Sequence, residues 1–333
     1  MINSWLDLNT VNLLGRIDSR IDKQKLINVF AKEFGLGKVY SFRQIHEGFE
    51  DYNVKLKTAK NTYLVKFFSQ YKSFRHIKDN VNGLVAFHKS GVKVPKIYKS
   101  KKGKFIYYYE DNDAMVLGCV MEFFQGKSFY KCKKEPSKKE IKSIIKEIYK
   151  VNITKFKPKG IYDVWVLQNL VSEFDKKSQF LTKHDYRKIL PIVKKAKELK
   201  YSGLTKGVIH NDIQRSNVLK DKNGNIRIID FSVMEYNAIS IELATFIALF
   251  CINPMIYQAK AVKYRIKFVL EEYQKYRRLN KQDILIIPDF IKATYAANCL
   301  AGSFELSGKG NNTEETKYWI RIGSRGIDLM NKL

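Results

Sequence analysis

The spacing of hydrophobic positions changes along the chain. In QKLINVFAKEFGLG, Leu26, Phe30 and Phe34 recur every four residues before glycines follow, which predicts an amphipathic helix. From residue 39 the apolar residues form short β-branched and aromatic runs instead: VYSFRQIHEG, DYNVKLKT and TYLVKFF, with the turn TAKN between the last two. These runs predict a meander of antiparallel strands.

The later pattern is mainly helical. A helix is predicted over Phe74–Lys89, and the strands KFIYYYE and MVLGCVMEFF follow it. From PSKKEIKSIIKEIYKVNI to EETKYWIRIGSRGIDLMNKL the spacing is that of helices. One interruption, VIHNDIQRSNVL followed by DKNG and NIRIIDF, predicts a small hairpin with polar residues at its ends. The longest apolar run, LATFIALFCI, is too short to span a bilayer and predicts a buried helix.

These elements predict an α+β protein of two lobes, a small antiparallel β-sheet N-lobe and a larger, mainly helical C-lobe. We assign residues 1–38 to an N-terminal helical extension, 39–125 to the N-lobe and 126–333 to the C-lobe. The connector is predicted near Gln125–Lys127.

The charge of the chain is strongly positive. The formal net charge is +28, from 61 Lys and Arg against 33 Asp and Glu, and such a balance favours anionic partners. The lysines are scattered along the sequence, however, and it lacks arginine clusters suited to bidentate contacts with phosphate or guanine. A lysine-rich solvated surface explains the charge, so we do not expect nucleic acid as a partner. We also expect no membrane span and a cytoplasmic location, since MINSWLDLNT does not resemble a signal peptide.

The stretches VIHNDIQRSNVL and IRIIDF carry residue types that phosphoryl transfer needs. That reaction requires a carboxylate to orient and deprotonate a hydroxyl, oxygen ligands for Mg²⁺ and a cation on the phosphates. Asp212 offers the base, Asn217 a neutral oxygen ligand and Asp230 a charged one. Because the flanking strands form a hairpin, Asn217 and Asp230 are expected at the same edge of it.

Two positions of the predicted N-lobe have the chemistry to contact phosphates. Lys66 lies inside the apolar strand sequence VKFF, where lysine is rare unless it is paired. Gly48 lies at a strand-to-strand turn, where a backbone without Cβ can approach a phosphate closely.

The set VKFF, MEFFQGKSF, VIHNDIQRSNVL, IRIIDF and ELATF resembles the aminoglycoside phosphotransferase and choline kinase superfamily, small-molecule relatives of the protein kinases. The specific part is the order: H-x-D-x-x-x-x-N, then a strand ending in I-D-F, then an acidic-Leu-Ala triplet. The resemblance covers the chain from about Val39 onward and implies a protein-kinase-like fold.

The resemblance also implies roles for particular residues. Asp212 is the implied base, and the implied metal ligands are Asn217 and Asp230. The positions implied to contact the nucleotide are Lys66 on the phosphates, Gly48 and Asn53 in and after the covering loop, and Phe123 and Phe124 at the adenine-binding hinge. The implied cofactors are ATP, with GTP as the alternative donor, and Mg²⁺. The partner is a small-molecule hydroxyl acceptor.

Three departures from the family pattern stand out. The loop reads HNDIQ where H-G-D-L-H is usual, and Asn211 in place of the glycine suggests that a side chain is tolerated in this turn, because asparagine adopts unusual backbone angles more readily than most residues. Glu242 stands where aspartate is usual. The helix after Lys66 contains no glutamate to pair with it, only Asp79, so the partner of Lys66 stays open.

The acceptor and the activity leave alternatives. Amino alcohols, sugars and aminoglycosides are all compatible with the pattern, and VLEEYQKYRRLNKQDILIIPDF resembles the homoserine kinase-like branch. The C-lobe shows no acidic cluster, and its candidates for facing the acceptor are Glu235, Tyr236, Asp289, Asn298 and Glu305. One alternative is a non-catalytic or spore-coat-associated scaffold that binds nucleotide. A protein kinase is another, disfavoured because DFS replaces D-F-G and the following interval is short.

Overall fold

The computed structural model describes residues 17–18, 20–45, 51–111, 114–132 and 134–333. They divide into two compact units. The first unit comprises the described residues up to Lys89 together with Lys93–Gln125, and the second comprises Ser90–Val92 and Gly126–Leu333.

The first unit combines an antiparallel sheet with helices. Its elements are α1 (Lys23–Glu33), β1 (Val39–Ile45), β2 (Tyr52–Thr58), β3 (Thr62–Phe67), α2 (Phe74–Lys89), β4 (Ile97–Tyr98), β5 (Tyr107–Asp111) and β6 (Ala114–Glu122). The strand order is β1-β2-β3-β6-β4, and β5 also pairs with β6. The meander β1-β2-β3 and the bounds of α2 agree with the sequence pattern, whereas the short strand β4 is not indicated by it.

Alternation of side chains along the strands determines which face of the sheet is buried. In β2, Val54 and Leu56 are fully buried, whereas Lys57, the residue after Leu56, is exposed. In β3 the buried positions are Tyr63, Val65 and Phe67, so Lys66 lies on the opposite face.

Helix α1 packs into the hydrophobic core of this sheet. Asp22 caps its N-terminus by accepting hydrogen bonds from the backbone of Gln24 and Lys25. Phe30 is fully buried, and its ring contacts that of Phe67 edge-on at 4.8 Å between centroids. At Gly118 of β6, a Cβ atom would lie 2.8 Å from the Phe30 ring, so glycine is required there. The helix we place in an N-terminal extension is therefore part of this core.

The second unit is mainly helical. Its elements are β7 (Lys127–Ser128), α3 (Phe129–Cys132), α4 (Lys138–Asn152), α5 (Leu170–Lys177), α6 (Lys183–Glu198), β8 (Lys206–Ile209), β9 (Val218–Lys220), β10 (Ile226–Ile228), β11 (Glu235–Ala238), α7 (Ile239–Phe246), α8 (Ala259–Gln274), α9 (Lys281–Ser303) and α10 (Glu314–Met330). The strands form two small sheets, ordered β10-β9-β7 and β11-β8. The predicted hairpin is β9-β10, whereas the pairing of β11 with β8 is not indicated by the sequence pattern.

The core of the second unit is built around α9. Helix α7 and its one-turn π-helical continuation to Cys251 are buried throughout, as the apolar run predicts. Helix α10 packs closely on α9 because it carries glycine where the two helices meet. A Cβ atom at Gly326 would lie 2.4 Å from the ring of Tyr295.

Helix α9 with its continuation, Lys281–Gly308, is long and apolar enough to cross a membrane by length and composition. However, 72% of its most apolar window is buried inside the protein, as in a core helix of a water-soluble fold. A single helix of this kind is weak support for a membrane span.

The packing of α1 gives a stability prediction. We expect Phe30→Ala to lower the free energy of unfolding by about 3–5 kcal/mol, because it removes a fully buried ring between α1 and the sheet. Asn28→Ala, on the exposed face of the same helix, is the control and should change little. Urea unfolding of both variants measures the difference. A change in the free energy of unfolding for Phe30→Ala that is as small as that expected for the control would show that α1 is dispensable to the core.

Candidate active site

The loop between β8 and β9 is held by a buried histidine. His210 is fully buried, and its Nε2 lies 3.0 Å from the carbonyl oxygen of Ile229. Its Nδ1 accepts the backbone N–H of Asp212 at 3.2 Å, so Nε2 carries the proton and donates to Ile229. Burial lowers the pKa of His210 to about 4, although the hydrogen bond to Ile229 raises this pKa in part, and the ring is therefore neutral. His210 therefore fixes the backbone of the loop.

Asn211 has the backbone angles expected of it. Its φ is 70°, in the left-handed region that asparagine enters more readily than most residues. Its side chain accepts a hydrogen bond from Gln168 Nε2 at 3.0 Å and donates one to Glu235 Oε1 at 3.2 Å. The side chain that replaces the usual glycine thus connects the loop to two neighbouring segments.

The carboxylate of Asp212 is oriented by two amide side chains. Gln214 Nε2 donates to Oδ1 at 3.0 Å, and Asn217 Nδ2 donates to Oδ2 at 2.6 Å. Burial raises the pKa of Asp212 well above its usual value, and the negative charges of Asp230 and Asp163 raise it further. These two amides oppose that rise by hydrogen bonding to the carboxylate.

The hairpin brings the proposed metal ligands to one end, as the sequence predicts. Val218 pairs with Ile228, and the Ile229 N–H donates to the carbonyl oxygen of Asn217 at 2.9 Å. Asp230 follows directly, with a φ of 64° that turns the chain away from the strand. Asp212, Asn217 and Asp230 are therefore brought together at one end of this hairpin.

The donor set fits a magnesium ion. Both hydrogen bonds from Asn217 Nδ2 go to Asp212, to its carbonyl oxygen and its carboxylate. The amide oxygen accepts one hydrogen bond, from Ser216 Oγ at 3.4 Å, and its second lone pair can serve a ligand. Among the described residues, no group of three or more His, Cys, Asp or Glu side chains is arranged to hold a metal. Mg²⁺ suits such a site, because it takes one or two carboxylates and completes its shell with water and phosphate oxygens.

Contacts with other segments of the second unit also hold the loop. Arg215 forms a bidentate ion pair with Glu135, at 2.7 and 2.6 Å, and its Nε donates to the carbonyl oxygen of Phe250 at 3.0 Å. Glu242, at the start of α7, is fully buried and accepts the backbone N–H of His210. Burial raises the pKa of Glu242 to about 7, although the hydrogen bonds that it accepts from the backbone of His210 and Asn211 lower this pKa in part.

The remaining predicted sites that the structure describes lie in the first unit. Asn53 of β2 is paired directly with Lys66 of β3, so the antiparallel register places these two side by side. Lys66 Nζ lies 2.8 Å from Asp51 Oδ2, which identifies a carboxylate partner for this lysine. Phe123 and Phe124 follow β6, and Lys55 Nζ lies 4.4 Å from the centroid of the Phe123 ring. Gly48 lies outside the described residues.

Of the acceptor candidates, Glu235 lies beside the loop through its contact with Asn211. The others do not show such a contact: Asp289 pairs with Lys195 at 2.7 Å, Glu305 with Lys309 at 2.6 Å, Asn298 donates to the Thr294 carbonyl oxygen, and Tyr236 is stacked under Lys157.

Sequence reasoning missed Asp163 and Gln168, which precede α5. Asp163 lies near enough to Asp212 to raise its pKa, and Gln168 contacts Asn211. Their segment, YDVWVLQN, has no motif spacing, so only the fold brings it to the loop.

Comparison with known families decides the class of protein. A sequence model of the phosphotransferase enzyme family matches residues 41–279. The chain belongs to this family. Membership confirms the resemblance drawn from the sequence and the prediction that the protein is an enzyme. No curated protein sequence matches this phosphotransferase.

Solved structures share its fold. An amicoumacin kinase in complex with AMP-PNP, Ca²⁺ and its ligand is 15% identical, with a TM-score of 0.68 over 94% of this chain and 95% of that one. A spectinomycin phosphotransferase in complex with ADP and spectinomycin is 14% identical, with a TM-score of 0.68 over 94% and 100%. A choline kinase from Streptococcus pneumoniae is 15% identical, with a TM-score of 0.60 over 93% and 99%. At these identities the similarity concerns the fold, and it confirms the predicted fold class.

The buried Glu242 gives a pH-dependent prediction for this phosphotransferase. Its pKa is higher in the folded protein than in the unfolded chain, so between pH 4.5 and 7 the folded state binds more protons and stability falls as pH rises. Glu242→Gln cannot ionise. From pH 4.5 to pH 8 the wild type should therefore lose on the order of 3 kcal/mol of stability relative to this variant.

Urea unfolding of both proteins at pH 4.5 and pH 8 measures this difference. Glu198→Gln changes an exposed glutamate of α6 and is the control, with a pH profile parallel to that of the wild type. A Glu242→Gln profile that also stays parallel would contradict a buried, destabilising charge.

Proposed function

We propose that this phosphotransferase transfers the γ-phosphoryl group of Mg²⁺-ATP to a hydroxyl group of a small molecule, with Asp212 as the base. The observation that carries the proposal is the hydrogen bond of Asn217 to the Asp212 carboxylate, beside Asp230 at the end of the β9-β10 hairpin. A base and two oxygen ligands at one point match what phosphoryl transfer needs from a protein.

In this proposal Asp212 receives the proton of the acceptor hydroxyl as that oxygen attacks the γ-phosphorus, while the bond from this phosphorus to the β,γ-bridging oxygen breaks and ADP leaves. Hydrogen bonds from Gln214 and Asn217 hold its carboxylate in one orientation, and burial raises its pKa and makes it a stronger base. Asp230 and the amide oxygen of Asn217 would hold Mg²⁺. When bound, the ion supplies positive charge to the phosphate oxygens.

The donor is proposed to be ATP, with GTP as the alternative. Lys66 is the residue proposed to contact the nucleotide phosphates. Asn53, its cross-strand neighbour, is proposed after the loop that covers them. Phe123 and Phe124 are proposed at the adenine, through backbone groups after β6. Gly48 keeps its proposed place in the covering loop.

The charges near Asp212 favour an acceptor that carries an amine. Asp163 acts on Asp212 as a negative charge, and Glu235 contacts the adjacent Asn211. A protonated amine would be attracted by these carboxylates, whereas a neutral sugar would gain nothing from them. Among the acceptors open from the sequence, amino alcohols and aminoglycosides therefore fit better than sugars. Kinases of aminopropanol and ethanolamine are among the proteins that share the fold.

The role of Asp212 is tested by substitution. Asp212→Asn keeps the shape of the side chain and one of its two acceptor oxygens but removes its ability to take a proton. We expect kcat to fall by about 10²–10⁴-fold, with little change in the Kd for ATP. Asp175→Asn, an exposed aspartate of α5, is the matched control and should retain wild-type kcat. A variant at position 212 that is as active as this control would exclude Asp212 as the base.

The metal ligand is tested separately. Asp230→Asn is expected to weaken the binding of Mg²⁺-ATP more than that of ATP in EDTA, because only the former uses the ligand. Calorimetry with both forms of the nucleotide measures the two affinities. Equal losses for both forms would remove Asp230 from the metal site.

An acceptor screen distinguishes the enzyme from a scaffold. The wild-type protein, incubated with ATP and Mg²⁺, is assayed for ADP release with amino alcohols, aminoglycosides and sugars. Acceptor-dependent release is expected with the amine-bearing compounds. A protein that binds ATP but releases no ADP above background with any of them would support the non-catalytic alternative.

A further inference from the structure

Arg215 lies in the turn that joins Asp212 to Asn217. Within this turn the Gln214 N–H donates to the carbonyl oxygen of Asp212 at 3.0 Å, and the Asn217 N–H donates to that of Gln214 at 3.1 Å. Both bonds are local, so they shape the turn without fixing its place in the protein. Arg215 stands at an unspecified position of the pattern H-x-D-x-x-x-x-N, so the motif gives it no role.

The guanidinium group of Arg215 attaches the turn to two other segments. Nη1 and Nη2 donate to the two carboxylate oxygens of Glu135 at 2.7 and 2.6 Å, and Nε donates to the carbonyl oxygen of Phe250 at 3.0 Å. Because these donors belong to one planar group, they fix its orientation as well as its position. The carbonyl oxygen of Arg215 accepts the Tyr130 N–H at 3.0 Å, so the backbone is held too.

Glu135 is itself held in place. It comes two residues before Ser137, which begins α4 with a capping box formed with Glu140. Asn253 Nδ2 donates to Glu135 Oε1 at 3.2 Å. Burial raises the pKa of Glu135, but the hydrogen bond from Arg215 and its charge outweigh burial and lower this pKa, so the carboxylate is ionised. The partner of Arg215 is therefore charged and fixed to a helix of the core.

Helix α7 contacts the loop on both sides of Asp212. In its first turn Glu242 accepts the backbone N–H of His210. Phe250 lies at the other end, in the π-helical continuation, where the last carbonyl groups lack helical donors and carry the negative end of the helix dipole. The cation of Arg215 supplies a donor and a positive charge there. The loop is thus attached to one helix both before and after Asp212.

We propose that Arg215 is a positioning residue for the phosphoryl transfer: through Glu135 and the C-terminal end of α7, it holds Asp212 and Asn217 at the separation at which both act on one phosphoryl group. This inference rests on the proposed function and adds to it an ion pair that the motif does not contain. The guanidinium group donates to Glu135 and Phe250, so Arg215 acts through the turn and not by contact with the substrate.

Substitutions of Arg215 test this role. Arg215→Lys keeps the charge, but one ammonium group cannot reproduce the planar, bidentate contact. We expect kcat to fall by about tenfold in Arg215→Lys and by about 10²-fold in Arg215→Ala, with the KM for the acceptor within about twofold, because displacing a base slows the reaction without removing a contact to the acceptor. Both constants are measured as ADP release with the acceptor that reacts fastest in the screen described above.

Lys188→Gln is the matched control. The Lys188 side chain is only 14% exposed and joins α6 to α10 through an ion pair with Asp328 at 2.7 Å, so this variant also removes the cation of a long-range pair. It should lower the melting temperature and leave kcat unchanged. A kcat for Arg215→Lys equal to that of the control would overturn the positioning role.

A wild-type protein that binds ATP but releases no ADP with any acceptor would overturn the proposed function, and this inference with it. That outcome differs from a failure confined to the inference, in which the wild type is active and the Arg215 variants are equally active.

Rescue by a small cation separates positioning from stability. In Arg215→Ala the guanidinium group beside Glu135 is removed, and methylguanidinium carries the same planar donors. Added methylguanidinium is expected to raise the kcat of this variant by about tenfold, whereas methylammonium at the same concentration should not, because it cannot donate bidentately. The assays are run well below the melting temperature of the variant. Methylguanidinium that leaves kcat unchanged, even if it raises the melting temperature, would assign Arg215 a purely structural role. If Arg215→Ala does not fold, the comparison of Arg215→Lys with the control decides.

Discussion

A polar loop buried in an apolar interior is the constraint on which the second unit depends. Buried backbone N–H groups must be paired, and the loop between β8 and β9 has no strand partner to pair them. Glu242 accepts the N–H of His210, and the His210 ring joins Asp212 to the strand end at Ile229. The backbone position of Asp212 is therefore held by Glu242 and His210, two residues that have no part in the chemistry proposed for it.

The charges that act on Asp212 in this loop are opposite in sign to the net charge of the chain. The chain carries a formal charge of +28, yet the charges that act on Asp212 are those of Asp230 and Asp163. Salt screens the charge of a surface lysine, so this charge acts only over a short distance. Buried carboxylates act on each other more strongly, because the medium between them has a low dielectric constant. The composition of the chain therefore does not indicate the charge of its ligand.

Features with a local cause could be predicted from the sequence. The bounds of α2, the β9-β10 hairpin and the placing of Asn217 beside Asp230 follow from patterns within a few dozen residues. The approach of Asp163 to Asp212 and the packing of α1 on the sheet depend on how distant segments fold together. No spacing rule marks such contacts. The contact of Gln168 with Asn211 could not be predicted for the same reason, since the two residues are 43 positions apart in the chain.

A carboxylate that pairs with Lys66, that of Asp51, comes from a residue next to a strand of the sheet. In protein kinases the corresponding lysine is paired with a glutamate on a helix, and the position of that helix controls activity. Asp51, a partner of Lys66 in this chain, adjoins β2, which is hydrogen-bonded to β3 along its length, so its contact with Lys66 follows from the register of the sheet. A contact fixed by strand pairing does not require α2 to move. The position of Lys66 relative to Asp51 is therefore a consequence of strand pairing.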